Sequence, residues 1–287
     1  MLNEGAIVAV VPTYRPPTST HDLVSTLTDQ GVRVVVSDDA SPCTSDRILR
    51  DLGRLRDVVV VRHKRNSGIG RALNEGLQSA LDSGGTWLLT VDQDSLLPDG
   101  YVAGALDWMA RNLTAADRYG ALAAEVIEDA SGVMRYPITE VEDHLQTEEV
   151  IQTGTFWKVA ALAEIGGFDE TLGMDAVDAA ACLALRRMGY AIGLLPGLAL
   201  EHSIGSSTQI TLAGRSVMIT GHSPERRASM LRNRLRLFPA EFAESPRHAL
   251  RTIRRVVVNQ GVGLMLEVER WEKAKGTARG IKPTWTR

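Results

Sequence analysis

Cysteine is almost missing from this chain: Cys43 and Cys182 are the only two among 287 residues. That count excludes a disulfide scaffold and fits a reducing, cytoplasmic setting. Long apolar runs are missing too, since none reaches the roughly 18 residues a membrane-crossing helix needs. The opening stretch, MLNEGAIVAVVPTYRPP, carries no basic segment ahead of a short apolar one, unlike a secretory leader. Aromatic residues are scarce at 5% and the basic excess is confined to residues 223–287, which argues against a nucleic-acid binder. There is no internal repeat, no low-complexity tract and no clear linker. What remains is an ordinary globular composition, 44% hydrophobic and 23% charged, long enough for one large or two modest domains.

The charge is unevenly spread. Residues 223–287 hold 15 Lys/Arg against 6 Asp/Glu, whereas the preceding 222 residues hold 17 against 29. Such a basic tail suits phosphates or anionic lipid headgroups, and it equally suits the solvated face of helices packed on an acidic body. Before it, the first ninety or so residues alternate. AIVAVVPTY, VRVVVSDD, DVVVVRHK and TWLLTVDQD are short β-branched runs without polar alternation, as strands of a sheet covered on both faces require. STHDLVSTLTDQG, SDRILRDLGRL and GRALNEGLQSALDSG read as the helices between them. The expectation is an α/β doubly wound, mostly parallel sheet with ligands beyond the carboxyl ends of its strands.

From about residue 100 the pattern shifts. LPDGYVAGALDWMARNL, VAALAEIGGF and GMDAVDAAACLALRRMGY read as helices, while ALAAEVIED, VMRYPITEV and EEVIQTGTFW read as shorter antiparallel strands. GYAIGLLPGLALEH is expected as a last strand, SIGSSTQITLAGRS as a mobile loop, and the remainder as two or three basic amphipathic helices. This divides the chain into an α/β domain over 1–222, with a change of pattern near residue 100, and a helical extension over 223–287.

Each early strand ends in groups suited to a ligand-facing edge: Thr13, Tyr14 and Arg15; Asp38 and Asp39; His63 to Asn66; Asp92 and Asp94. Two aspartates one residue apart after a buried strand repel each other unless something opposes their charge. A divalent cation does so, because hard oxygen ligands suit Mg²⁺ or Mn²⁺; a capping role at a helix start is the alternative. In NSGIGRALNEG, residues Asn66, Gly68 and Gly70 would let the backbone turn tightly and present N–H groups to a diphosphate, although glycines at such turns often serve the fold alone. Asp175 and Asp178, three apart, are expected on one helical face as first-turn caps or as a base. His202, after an apolar strand, is either polar packing or a ligand.

Taken in order, VVPTYRPP, VVSDDASP, RNSGIGRALNEG, VDQDS, TGTFW, IGGFDE, VDAAACLALRRMGY, LEHSIGSS and SPERRASMLRNRL resemble glycosyltransferase family 2, with its GT-A fold, over residues 6–240. Within it the chain is similar to the bacterial rhamnosyltransferase-like branch. The resemblance implies a nucleotide-sugar donor, dTDP-L-rhamnose ahead of a UDP-sugar, and a glycan or lipid-linked glycan acceptor in cell-surface polysaccharide synthesis. It implies a catalytic domain over 1–222, with a nucleotide-binding half over 1–100 and an acceptor-binding half over 101–222, and an inverting transfer with Mg²⁺ or Mn²⁺. It places Thr13, Tyr14, Arg15, Asp38, Asp39, Asn66, Gly68 and Arg71 at the nucleotide, and Asp92, Asp94 and His202 at the metal, with Asp94 favoured as the direct ligand. Asp178 matches the catalytic base, and Arg226, Arg227, Arg232 and Asn233 match a segment near donor phosphates and acceptor.

This chain departs from the pattern at Ala180 and Ala181, where an acidic and an aromatic residue are usual, and at Ala228 and Ser229, where paired tyrosines are usual. Those positions face the acceptor side in the family. They leave open a redirected activity, another hexosyl or galactofuranosyl transfer, or a non-catalytic nucleotide-sugar-binding protein. A nucleotidyltransferase shares the opening and the acidic site, but VVPTYRPPTST lacks the Gly-rich basic loop such enzymes carry after the first strand. In the tail, Arg251, Arg254 and Arg255 lie beside Val256, Val257, Leu264, Met265 and Leu266, followed by Trp271. A basic face beside an apolar one predicts peripheral contact with the inner face of the cell membrane, or else packing against the catalytic domain; Gly261 and Gly263 are expected to interrupt the helix.

Overall fold

The computed structural model describes residues 7–129, 132–202, 208–212, 215–219, 222–266 and 275. The chain divides into two compact units: Met1–Gly173 with Val177–His202, and Met174–Ala176 with Ser203–Arg287.

The first unit begins with the expected alternation: β1 (Ile7–Thr13), α1 (Ser19–Asp29), β2 (Arg33–Asp38), α2 (Asp46–Leu52), β3 (Val58–Arg62), α3 (Ile69–Ser83) and β4 (Trp87–Thr90). These strands run parallel in the order β3-β2-β1-β4. Both sheet faces are covered, which is why the strands show no polar alternation. Ile7, Ala9 and Val11 join Leu23, Val24 and Leu27 of α1 and Leu49 and Leu52 of α2 in one core. Val8 and Val10 join Leu73, Leu77 and Ala80 of α3 in the other. Gly76 brings α3 against the sheet, since a Cβ there would sit 2.4 Å from Val10 Cβ.

The sheet continues through β5 (Ser95–Leu96), α4 (Tyr101–Arg111), α5 (Leu113–Ala116), β6 (Tyr119–Asp129), β7 (Gly132–Arg135), β8 (Thr139–Val141), β9 (His144–Thr147), β10 (Thr155–Lys158), α6 (Val159–Glu164), α7 (Val177–Arg187) and β11 (Ala191–His202). β10 lies antiparallel between β4 and β6, while β6 runs parallel to β11. β6 is thus antiparallel to β10 and β7, as expected from its sequence, and parallel to β11 alone among its neighbours. VMRYPITEV forms two strands rather than one, broken around Pro137, which has no N–H to give a ladder. EEVIQTGTFW is extended only from Thr155, and its first part is a loop that bears on the site.

The second unit contains β12 (Thr208–Leu212) and β13 (Arg215–Ile219), an antiparallel pair where a loop was expected, then α8 (Pro224–Glu244) and α9 (Pro246–Leu266). Ser223 caps α8 by accepting a hydrogen bond from Arg226 N at 3.2 Å. α9 runs through Gly261 and Gly263 without interruption, contrary to expectation. It carries no Asp or Glu, and its exposed residues include Arg247, Leu250, Arg251, Arg254, Arg255, Val257 and Val258. Trp271 lies outside the described residues. Among those residues no helix is long and apolar enough to cross a membrane.

Candidate active site

The carboxyl ends of β1, β2 and β4 meet at one edge of the first unit. Thr13 and Asp38 are in register, and Thr13 Oγ1 donates to Asp38 Oδ1 at 3.3 Å. Asp38 is fully buried and also accepts from Ser41 N at 3.0 Å and Ser41 Oγ at 2.5 Å, with Arg62 Nε 3.4 Å away. A buried carboxylate needs this many donors to remain charged. Its hydrogen-bond partners are thus all from the protein, and the exposed groups beside it include Arg62, Tyr14, Arg15 and Asn66.

Asp39 closes the neighbouring turn. Its oxygens accept from Ser67 N at 2.7 Å and Gly68 N at 2.9 Å, and His63 Nδ1 lies 3.2 Å away. The glycine-rich turn therefore directs these N–H groups at a protein carboxylate, not outward as the diphosphate cradle its sequence led us to expect. Gly68 has φ +91°, and a Cβ there would stand 2.6 Å from Gly173 O. Gly70 similarly lies where a Cβ would meet Asp169 O at 3.0 Å. These glycines allow α3 to begin against the 169–173 segment. Asn66 Nδ2 reaches Asp39 O at 3.4 Å, and Arg71 is half-exposed between Glu75 and Glu170.

The acidic pair sits on the turn between β4 and β5. Asp92 is partly buried and Asp94 is exposed. Asp92 N donates to Thr153 Oγ1 at 3.0 Å, and Asp92 Oδ1 accepts from Gln152 Nε2. Thr153 Oγ1 also pairs with Ser95 Oγ at 2.8 Å. The loop delivering these groups is fixed from below: Gly154 N donates to Thr90 O at 2.8 Å, and Tyr101 Oη donates to Gly154 O at 2.5 Å. This is the physical content of the TGTFW segment. Gln152 and Thr153 are site residues that the sequence reading missed, because nothing local marks a partner some 60 residues away. Gln93, between the aspartates, was likewise passed over. Its side chain accepts from Tyr14 N at 3.0 Å and donates to Tyr14 O at 3.2 Å.

Two carboxylates on one turn form a hard-oxygen donor set suited to Mg²⁺ or Mn²⁺. Gln152 is 8% exposed, and its buried carbonyl oxygen has no hydrogen-bond partner among the described residues, a further polar atom held beside the pair. His202, the last residue of β11, is paired by its backbone with Ser95, immediately after Asp94. The side chain of His202 lies outside the description.

Asp178 stands in the first turn of α7, partly buried, and its Oδ1 accepts from Ala179 N at 2.8 Å. Asp175 does not share a helical face with it. α7 starts at Val177, and Ala176 is left-handed at φ +67°, which turns the chain before the helix begins. In the second unit, Asp175 Oδ1 is 3.4 Å from Arg226 Nε, and Asn233 Nδ2 donates to Asp175 O at 2.8 Å. Burial raises the Asp175 carboxyl above the ordinary aspartate value, with Arg226 opposing the shift. Arg227 and Asn233 are buried, whereas Arg226 and Arg232 are exposed. Cys182 is buried and its thiol is pushed up to about 12 by desolvation, so it is no nucleophile.

A two-sided parallel sheet with an antiparallel insertion, carrying an acidic pair on the turn after its fourth strand, is the architecture of the GT-A glycosyltransferases. Residues 8–137 match the family model for glycosyl transferase family 2. It is rhamnosyltransferase-like in sequence, being 26% identical over 242 residues to the dTDP-rhamnosyl transferase RfbF of Shigella flexneri, across 79% of this chain and 78% of that one. Its fold is similar to S. aureus TarS 1-349 in complex with UDP-GlcNAc, with a TM-score of 0.64, 18% identity, and coverage of 96% of this chain and 79% of that chain. It is also similar to GalNAc-T7 with UDP, GalNAc and Mn²⁺, with a TM-score of 0.59, 15% identity and 81% of this chain covered. The chain spans about half the length of that structure, 47%.

Proposed function

We propose that this protein is an inverting, metal-dependent glycosyltransferase. It moves a sugar from a nucleotide-sugar, with dTDP-L-rhamnose first among donors, to a hydroxyl of a glycan or lipid-linked acceptor. The observation that carries this reading is the acidic pair itself. Asp92 is held by Gln152 and Thr153, and Asp94 is presented to solvent two residues on, beside the strand ends carrying Tyr14 and Asp39. The likeness to a dTDP-rhamnosyl transferase supports the donor.

Asp92 and Asp94 would hold the Mg²⁺ or Mn²⁺, with His202 as a further candidate ligand. The ion, when bound, supplies positive charge against the departing diphosphate. Tyr14 and Arg15, exposed above the buried Asp38, offer an aromatic face and a cation to the nucleotide; Arg15 Cζ lies 5.2 Å from the Tyr14 ring centre. Asp178 takes the proton from the acceptor hydroxyl as its oxygen bonds to the anomeric carbon. The bond from that carbon to the diphosphate oxygen breaks, and nucleoside diphosphate leaves with the pair of electrons. No covalent enzyme intermediate is needed. Of the four α8 residues that the resemblance assigns to phosphates and acceptor, Arg226 and Arg232 are exposed.

The test is a thermal-shift panel with Mn²⁺ present: dTDP-L-rhamnose, a UDP-hexose, UDP-galactofuranose and GDP-mannose. A donor at 100 times its dissociation constant stabilises the folded state by about 2.7 kcal/mol. We expect dTDP-L-rhamnose to give the largest shift. No shift with any nucleotide-sugar overturns the reading. A shift without turnover on any acceptor would favour the binding protein that Ala180, Ala228 and Ser229 raise.

The second unit supports a membrane-proximal acceptor. α9 exposes four arginines interleaved with Leu250 (53% exposed), Val257 (56%) and Val258 (51%), and has no acidic residue. Each Lys or Arg close to an anionic surface is worth about 1 kcal/mol. The protein should therefore float with anionic vesicles at low salt and be released by high salt, and should ignore neutral vesicles. Binding indifferent to charge and salt, or no binding, would leave α9 a structural element.

A further inference from the structure

We propose that Gln93, the middle residue of the D-Q-D turn, is a positioning residue that fixes Tyr14 for the donor nucleotide by acting as a one-residue strand against it. The inference rests on the nucleotide-sugar reading above. The β1–β4 ladder ends at Val10 and Thr90 and β1 itself at Thr13, yet Tyr14 has both main-chain groups satisfied. The Gln93 amide accepts from Tyr14 N at 3.0 Å and donates to Tyr14 O at 3.2 Å. Its own carbonyl accepts from Thr20 Oγ1 at 3.1 Å, at the start of α1. The bracket therefore has three points and joins β1, α1 and the acidic turn.

The chemistry singles out glutamine. A primary amide offers a donor and an acceptor side by side, as a peptide group does. Glutamate of the same length would set a carboxylate against the Tyr14 carbonyl and add a third negative charge between Asp92 and Asp94. Asparagine is one methylene short. The far side of Tyr14 is held as well: Arg15 is left-handed at φ +52°, and its N–H donates to Ser41 Oγ at 2.8 Å, which in turn donates to Asp38. Clamped on both sides, the Tyr14 ring is 43% exposed and carries the Arg15 guanidinium 5.2 Å from its centre. Without Gln93, the peptide carrying Tyr14 is hinged at Arg15 alone, and the ring loses its fixed direction relative to Asp92 and Asp94. The base-side contact and the acidic pair thus share one rigid turn, and an aligned contact is the more valuable to binding for being held in advance.

Steady-state kinetics with the donor identified by the panel, on wild type, Gln93→Met, Tyr14→Ala and the double variant, test this. Gln93→Met keeps the length and removes both side-chain hydrogen bonds, so Tyr14 is no longer held in advance and we expect donor KM to rise roughly five- to twentyfold. We expect kcat to stay near wild type and the melting temperature to fall only slightly, as the loss of two modest, exposed hydrogen bonds allows. Tyr14→Ala should raise donor KM comparably, and the double variant should be no worse than Tyr14→Ala, because Gln93 acts through Tyr14. An unchanged KM in Gln93→Met, multiplicative effects in the double variant, or a fall in melting temperature and kcat without a KM change would each overturn the proposal. A wild type that binds no nucleotide-sugar would overturn it together with the function on which it rests, and that failure shows before any substitution is made.

Discussion

Asp94→Ala should lower sugar transfer by on the order of 10²–10³-fold, and EDTA should do the same to the wild type. The scale follows from the several kcal/mol a metal ion contributes against developing charge, at about 1.4 kcal/mol per tenfold in rate. Asp94 is chosen over Asp92 because the two carboxylates do different things. Asp92 is partly engaged inside the protein, accepting from the Gln152 amide, and its own N–H is held by Thr153. Replacing Asp92 would disturb the 150–155 loop as well as the ligand set. Asp94 is exposed, so its removal should leave the melting temperature near wild type while activity collapses. Full wild-type activity in EDTA would remove the metal from the mechanism.

Much of the fold could be read in the sequence for a single physical reason. Strands buried on both faces become unbroken β-branched runs, and the helices between them carry apolar stripes, so β1 to β4 and α1 to α3 fall where their patterns indicate. Where the pattern has two solutions, reading fails. VMRYPITEV has the composition of one strand but breaks around Pro137, and the stretch around residues 208–219 has enough Gly, Ser and Thr to look like a loop while pairing as β12 and β13. The acidic pair was legible because charge at the end of an apolar run is anomalous. Its supports were not. Gln152 reaches Asp92 across 60 residues, and Gln93 reaches Tyr14 across 79. Amide side chains carry no local signature of such partners, since they are equally at home on any surface.

The glycine-rich turn and the Asp175/Asp178 pair departed from expectation for two other reasons, a carboxylate supplied by the protein itself and the conformation of one residue. Ser67 and Gly68 do present N–H groups in tandem, as a phosphate cradle would, but Asp39 already accepts both. Asp175 and Asp178 have helical spacing, but Ala176 at φ +67° puts Asp175 outside the helix. Spacing predicts a shared face only where the backbone stays helical across it. Asp175 is instead engaged with Arg226 and Asn233 in the second unit.

Asp178→Asn should lower kcat by about 10²–10⁴, the usual worth of general-base assistance, and leave donor KM near the wild-type value. The substitution isolates proton transfer from structure. Asp178 Oδ1 accepts from Ala179 N at 2.8 Å, and an asparagine carbonyl accepts the same hydrogen bond, so the start of α7 should hold. The amide cannot take up the acceptor's proton at any working pH. A capping role predicts the opposite pattern: little change in rate, and a small loss of stability on removing the side chain altogether. Measuring kcat, donor KM and melting temperature for Asp178→Asn and Asp178→Ala therefore separates the two. An Asn variant that turns over at the wild-type rate would return Asp178 to the helix cap and leave the base to be found elsewhere on the acceptor side.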